Sequence, residues 1–165
     1  MDNGVGGIMV KINVVAVGKI KENYFENGFN EYVKRLSRYA KVTVTEIKEK
    51  NIVNEPSQGE IQEILKREGE DILKALKGYV IALAIEGKKV SSLSFANKIK
   101  TLKDKWGEIT FVIGGSYGIA DFVKDKADEL LSVSDMTFPH TLFRVMLAEQ
   151  IYRAFTILED GKYHK

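Results

Sequence analysis

Apolar and polar positions along this chain switch repeatedly between a strand-like and a helix-like period. The run VKINVVAV, Val10 to Val17, is β-branched and stops at Gly18, as a strand does. Tyr24 to Tyr39 then sets Tyr24, Phe25, Phe29, Tyr32, Val33 and Leu36 near helical spacing. Val42 to Ile47 alternates apolar residues with Thr and Glu, the pattern of an edge strand. After a polar loop through Asn54 and Pro56, Ser57 and Glu60 stand in capping-box register. They open a helix with Ile61, Ile64, Leu65, Ile72, Leu73 and Leu76 on one side, ending near Gly78.

The second half has a different texture. Val80 to Ile85 (VIALAI) and Ile109 to Ile113 (ITFVI) are unbroken apolar runs, expected of strands covered on both faces. Between them Leu93, Phe95, Ile99 and Leu102 mark a helix from about Ser92 to Lys105. Ala120 to Leu131 reads as another helix, and Leu142 to Leu158 as a last one. Connections of this length favour parallel pairing. The expected architecture is α/β: an open, mostly parallel sheet of about five strands with helices on both faces.

Length and composition narrow the class further. The 165 residues suit one domain, here residues 9 to 165, while residues 1 to 8 (MDNGVGGI) carry no periodic pattern and read as a disordered leader or alternative start. With 44% apolar and 29% charged residues the chain can bury a core. Cysteine is absent, which excludes disulfides, thiolate nucleophiles and zinc fingers, and no metal site is expected. The apolar runs are too short to span a bilayer and no signal core opens the chain, so the expected location is the cytoplasm, with no membrane partner. Lys plus Arg exceed Asp plus Glu by only 25 to 23, so total charge does not announce a polyanionic partner. The basic clusters at Lys34, Arg35, Arg38 and Lys41 and at Lys98, Lys100, Lys103 and Lys105 read as solvated helix faces.

Three segments offer chemistry. Ile113-Gly-Gly-Ser-Tyr-Gly118 joins a buried strand to a helix, where open α/β sheets bind ligands. It is neither G-x-G-x-x-G nor a P-loop. Gly114 and Gly115 serve either a close ligand approach or a tight turn. Leu131 to His140 is rich in small hydroxyl residues before Pro139, and is either a cradle in which main-chain groups read an adenosine or an ordinary helix-entry loop. The helix from Leu142 has too many apolar positions for a single buried stripe, which points to a second subunit and a homodimer. On it Glu149 and Arg153 are neighbours, either a simple ion pair or part of an RNA-facing set with Arg144. The end, Gly161-Lys-Tyr-His-Lys165, is expected to be mobile, and its aromatic and basic residues suit single-stranded RNA.

Taken together, FVIGGSYG at 111–118, SDMTFPHTLFRVMLAEQIYRAF at 134–155, the terminal YHK and the opening VKINVVAVGKIKENYF resemble the RlmH family of SPOUT methyltransferases from Met9 to Lys165. Asp135 and the leader depart from the family pattern. The resemblance implies transfer of a methyl group from S-adenosylmethionine to N3 of a pseudouridine in 23S rRNA, within the assembled ribosome, and a trefoil knot in the carboxyl-terminal half. It implies a cofactor held at Leu83, at Gly114 and Gly115, and along Val133, Ser134, Asp135, Met136, Thr137 and Phe138.

His140 and His164 are the side chains whose ordinary pKa suits a base near neutrality, and His140 also serves as a helix cap. His164 is assigned to the substrate, reaching the partner's pocket, with Tyr163 stacking and Arg153 and Lys165 on phosphates. Arg144, Glu149 and Tyr152 are placed at the substrate as well. Two other readings stand beside this one: a non-catalytic ribosome-binding module, and a SPOUT methyltransferase with another RNA target.

Overall fold

The computed structural model describes residues 9–50, 54–159 and 161–165; the leader at 1 to 8 lies outside them. The elements run β1 (Val10–Val17), α1 (Asn23–Leu36), β2 (Ala40–Ile47), α2 (Gln58–Ala75), β3 (Tyr79–Lys89), α3 (Ser92–Trp106), β4 (Glu108–Ile113), α4 (Asp121–Lys126), β5 (Glu129–Ser132) and α5 (His140–Leu158). The strands form one sheet in the order β2-β1-β4-β3-β5, every pair parallel. The expected α/β architecture and the edge position of β2 are both found.

Side chains of each strand alternate between two cores, because successive residues of a strand point to opposite faces. Ile12, Val14, Ala16, Ile81, Phe111 and Ile113 pack with Phe29, Ile99 and Ile151 under α1, α3 and α5. Val15, Val17, Ala82 and Val112 pack with Ile72 and Val123 under α2 and α4. The Ser57 capping box is present, its hydroxyl accepting from the Glu60 N–H while the Glu60 carboxylate accepts from the Ser57 N–H.

Two expectations need correction. The helix read from Ala120 to Leu131 is only α4, and the chain re-enters the sheet as β5. The sequence there carries helix-forming leucines and no alternation, so local pattern argues against a strand. Tertiary pairing decides it: the Asp128 N–H donates to the Val80 carbonyl and its carboxylate accepts from the Val80 N–H, both at 2.8 Å, stapling the segment to β3. The second correction concerns β3, which continues to Lys89 past a register shift. Leu83 and Lys88 both lie opposite Leu131, so four residues bulge out between them. Gly87 permits this, since a Cβ there would sit 2.6 Å from the Leu130 carbonyl carbon.

Candidate functional site

The carboxyl ends of β3, β4 and β5 surround a pocket of about 730 Å³, within the range of small-ligand sites. Each wall has a local cause. The β3 bulge carries Ala84, Ile85 and Glu86 out of the sheet and into the lining beside Leu83. At the end of β4 the chain folds back tightly: a Cβ on Gly114 would lie 2.5 Å from the Gly118 carbonyl oxygen, so only glycine allows this fold-back. Beyond β5 the Ser132 hydroxyl donates to the Ser134 carbonyl at 3.1 Å, and the Met136 N–H donates to the Ser134 hydroxyl at 3.0 Å, which holds the third loop in shape.

Of the residues expected at a cofactor, Leu83, Gly114, Gly115, Val133, Ser134, Met136, Thr137 and Phe138 line this pocket. Asp135 does not; it points outward and pairs with Lys89. His140 also lines the pocket, but not as a cap. Pro139 holds the N-cap position without a side-chain hydrogen bond, and His140 is the first residue of α5. Glu86 and Lys124 were missed, and they bring an ion pair of 2.6 Å into a lining that is, apart from His140, apolar and hydroxylic. The Lys124 ammonium holds the Glu86 carboxyl below its ordinary range. Gly87 inside a strand pattern was the available signal for the bulge that delivers Glu86.

The remaining expected residues gather elsewhere, at the far end of α5. Thirteen helical steps separate His140 from Arg153, about 20 Å along the axis. There the tail is packed rather than loose, against expectation. Arg153 Nε donates to Glu149 Oε1 at 2.9 Å, and the guanidinium lies 4.7 Å from the centre of the Tyr163 ring. The Tyr163 hydroxyl donates to Glu149 at 3.1 Å and sits 3.3 Å from that of Tyr32, while its ring meets Tyr152 edge-on at 4.9 Å. Burial, the Tyr32 hydroxyl and the Glu149 charge push the Tyr163 phenol well above its ordinary value, so it stays protonated. Arg153 donates to His164 Nδ1 at 3.1 Å, a bond that leaves the imidazole proton on Nε2. Lys165 ends the chain, exposed.

Arg144 departs most from expectation. It is 2% exposed, donating to Glu46 at 2.7 Å and to the Gly18 carbonyl at 3.0 Å, so it ties α5 to β1 and β2 rather than facing a substrate. Sequence spacing placed it on α5 but could not show which face the sheet would cover.

The family model described as "Predicted SPOUT methyltransferase" matches residues 10–164. The chain belongs to this SPOUT methyltransferase family. Among its relatives, the ribosomal RNA large subunit methyltransferase H of Lactobacillus delbrueckii subsp. bulgaricus is 46% identical over 160 residues, covering 94% of this chain and 100% of the relative. The protein of the same name from Caldicellulosiruptor saccharolyticus is 47% identical over 156 residues, covering 93% and 99%. A methylase family protein from Haemophilus influenzae Rd KW20 shares the fold with a TM-score of 0.53 at 12% identity, covering 93% of this chain and 70% of that one. For this SPOUT chain the pocket and the α5 tail cluster are therefore the two places to seek the methyltransferase chemistry.

Proposed function

We propose that this protein uses S-adenosylmethionine to methylate N3 of a pseudouridine in the 23S rRNA of the assembled ribosome, working in the cytoplasm as a homodimer whose protomers are each one domain over residues 9–165. The observation that carries this reading is the pocket at the carboxyl ends of β3, β4 and β5, in a chain whose relatives bear the name ribosomal RNA large subunit methyltransferase H. Three main-chain loops and an apolar floor suit an adenosine, whose ring edge hydrogen-bonds to backbone groups and whose faces need apolar contact. The carboxyl-terminal half, which supplies all three loops, is read as threaded into a trefoil knot.

The bound cofactor would supply an electrophilic methyl group. The protein's own task is to hold that group in line with the base, exclude water and accept the imide proton. Leu83, Gly115, Val133 and Phe138 would enclose the adenosine, and Ser134 and Thr137 would offer hydroxyls. Arg153 lies too far along α5 to serve the pocket of its own chain, and Tyr163 and His164 pack against it there. In a two-fold dimer the tail of one protomer would reach the pocket of the other, so that each site is composite. Leu142, Val145 and Met146 are only partly covered on α5 and would face the partner. Tyr163 would stack on the base, and Lys165 and Arg153 would hold phosphates. Glu149 and Tyr152 would position them. His164 holds its Nδ1 against Arg153, so it would accept a proton only after that bond opens.

Assembled ribosomes lacking the mark, incubated with the protein and labelled cofactor, should gain one methyl group, located by mass mapping of the RNA. Transfer to another nucleotide would keep the enzyme and overturn the target. Calorimetry showing no cofactor binding would leave an RNA-binding module instead.

A further inference from the structure

The rim around the pocket is not evenly charged. In a parallel sheet every strand's carboxyl end emerges on one edge. Across that edge the loops stand in the order β2, β1, β4, β3, β5, with the glycine turn in the middle. On the β3 and β5 side, Lys124 is neutralised by Glu86 and Lys89 by Asp135, leaving Lys88. On the β1 and β2 side, Lys19, Lys21, Lys48 and Lys50 are all exposed, and among the described residues none of them is in an ion pair.

These four lysines are held close by the fold. Val17 pairs with Ile47, and the Gly18 N–H donates to the Ile47 carbonyl at 2.8 Å, so the two loops leave neighbouring strands about 5 Å apart. The nearby acids form no ion pair with these lysines, and Glu22, beside Lys21, is half-buried with one carboxylate oxygen unpartnered. Glu46 pairs with Arg144, and Glu49 is half-buried and accepts from the Ser116 hydroxyl at 3.4 Å. That last bond also ties the lysine side of the rim to the pocket turn. In a chain with a net charge of only +2, four neighbouring unpaired ammonium groups repel one another, and a polyanion relieves that repulsion.

We propose that Lys19, Lys21, Lys48 and Lys50 form a phosphate-contact rim that carries the backbone of the substrate RNA over the β1 and β2 side of the pocket and presents the target base at the glycine turn. This deepens the methyltransferase reading above and rests on it. The RNA approaches from the side where the lysines are free, and the paired side is left to the cofactor and the partner's tail.

The test compares the full-length protein with the K19Q/K21Q/K48Q/K50Q variant and with a K100Q/K103Q/K105Q control on α3. Each is titrated with a short random-sequence RNA and with unmethylated ribosomes across a salt series. The rim variant should lose roughly hundredfold in RNA affinity at moderate salt, with a log–log salt slope shallower by about three, because each of the four phosphate contacts on a single strand releases about 0.7 of a counterion. Its cofactor affinity and melting temperature should match the parent, and the α3 control should bind RNA like the parent. An unchanged slope in the rim variant, an equal loss in the control, or a parent protein that binds phosphatidylserine vesicles but not RNA would each overturn the rim. Loss of cofactor binding in the parent, with the rim effect on RNA intact, would instead sink the methyltransferase reading and leave the rim standing.

Discussion

The pocket and the tail cluster sit at opposite ends of one helix and are built in different ways. The pocket is mostly main chain, apolar side chains and small hydroxyls, with His140 and one ion pair, Glu86–Lys124, and it is shaped by a bulge, a glycine fold-back and a serine-pinned loop. The tail cluster is almost wholly side chain: Glu149 alone accepts from Arg153 and Tyr163, and Arg153 in turn holds His164. Backbone geometry is fixed once the sheet forms, so the pocket is ready before any ligand arrives. The tail's polar groups are satisfied by one another, and any role at a substrate requires them to exchange these partners. One region is preorganised and the other can be switched.

The comparison breaks most severely by removing its switchable half. Deleting Tyr163 to Lys165 should lower methyl transfer by at least roughly 10³-fold, the scale lost when an essential constellation is dismantled, while cofactor affinity stays as it was. Turnover at the parental rate would show that the pocket works without the tail. The reverse operation is Gly114→Val. Its side chain would collide with the Gly118 carbonyl, and cofactor affinity should fall roughly hundredfold, about 2.7 kcal/mol by calorimetry. The tail's aromatic contacts, read from the tyrosine signals in NMR spectra, should be untouched.

This division also governs how far the sequence could be read. Apolar runs and capping signals located nine of the ten elements, because those patterns state locally which face is buried. The glycine turn was legible for the same reason, since Gly114 and Gly115 follow the apolar run of β4, whereas the Val133 to Phe138 loop was marked by its small hydroxyl residues and by the family resemblance. What escaped depended on contacts distant in sequence. β5 exists through Asp128 and Val80, and Glu86 reaches the pocket through a register shift. Arg144 and Arg153 share a helix, yet one is enclosed by the sheet and the other by the tail, a difference no spacing rule on α5 contains.

Arg144→Met sharpens that last distinction. The guanidinium is enclosed, but Glu46 remains 39% exposed and can rehydrate, so the cost should be about 2 kcal/mol, below the 3–5 kcal/mol of a fully buried broken pair. Denaturant unfolding would show it, with methyl transfer per folded molecule preserved. A specific loss of RNA binding without loss of stability would return Arg144 to the substrate.

The smallest expected effect belongs to Glu68, on α2 behind the pocket. It is 5% exposed, and the position a Cβ would take on Gly115 is 3.7 Å from its Oε1. Burial, with the charge of Glu49 adding to it, pushes its carboxyl up to about 7. From α2 itself Gly69 meets Phe122 of α4, and from β1 Val17 lies against the same Gly115, so Glu49 is the charged group that acts on it. Between the ordinary carboxylate range and pH 7 the folded protein keeps a proton that the unfolded chain has released. Stability should therefore fall as pH rises through that window and level off above it. Glu68→Gln removes the ionisation, so its advantage should be nil near pH 4, grow toward pH 7 and then stay constant. The full shift corresponds to about 3 kcal/mol, and relaxation around the charge should leave about 1–2 kcal/mol. Because Glu68 backs the glycine turn, the same variant should flatten the pH dependence of cofactor affinity while leaving the Arg153–His164 contact alone. Parallel stability-versus-pH curves for the two proteins from pH 4 to pH 8 would show that this carboxyl titrates alike in the folded and unfolded protein, and that burial behind the pocket does not raise it.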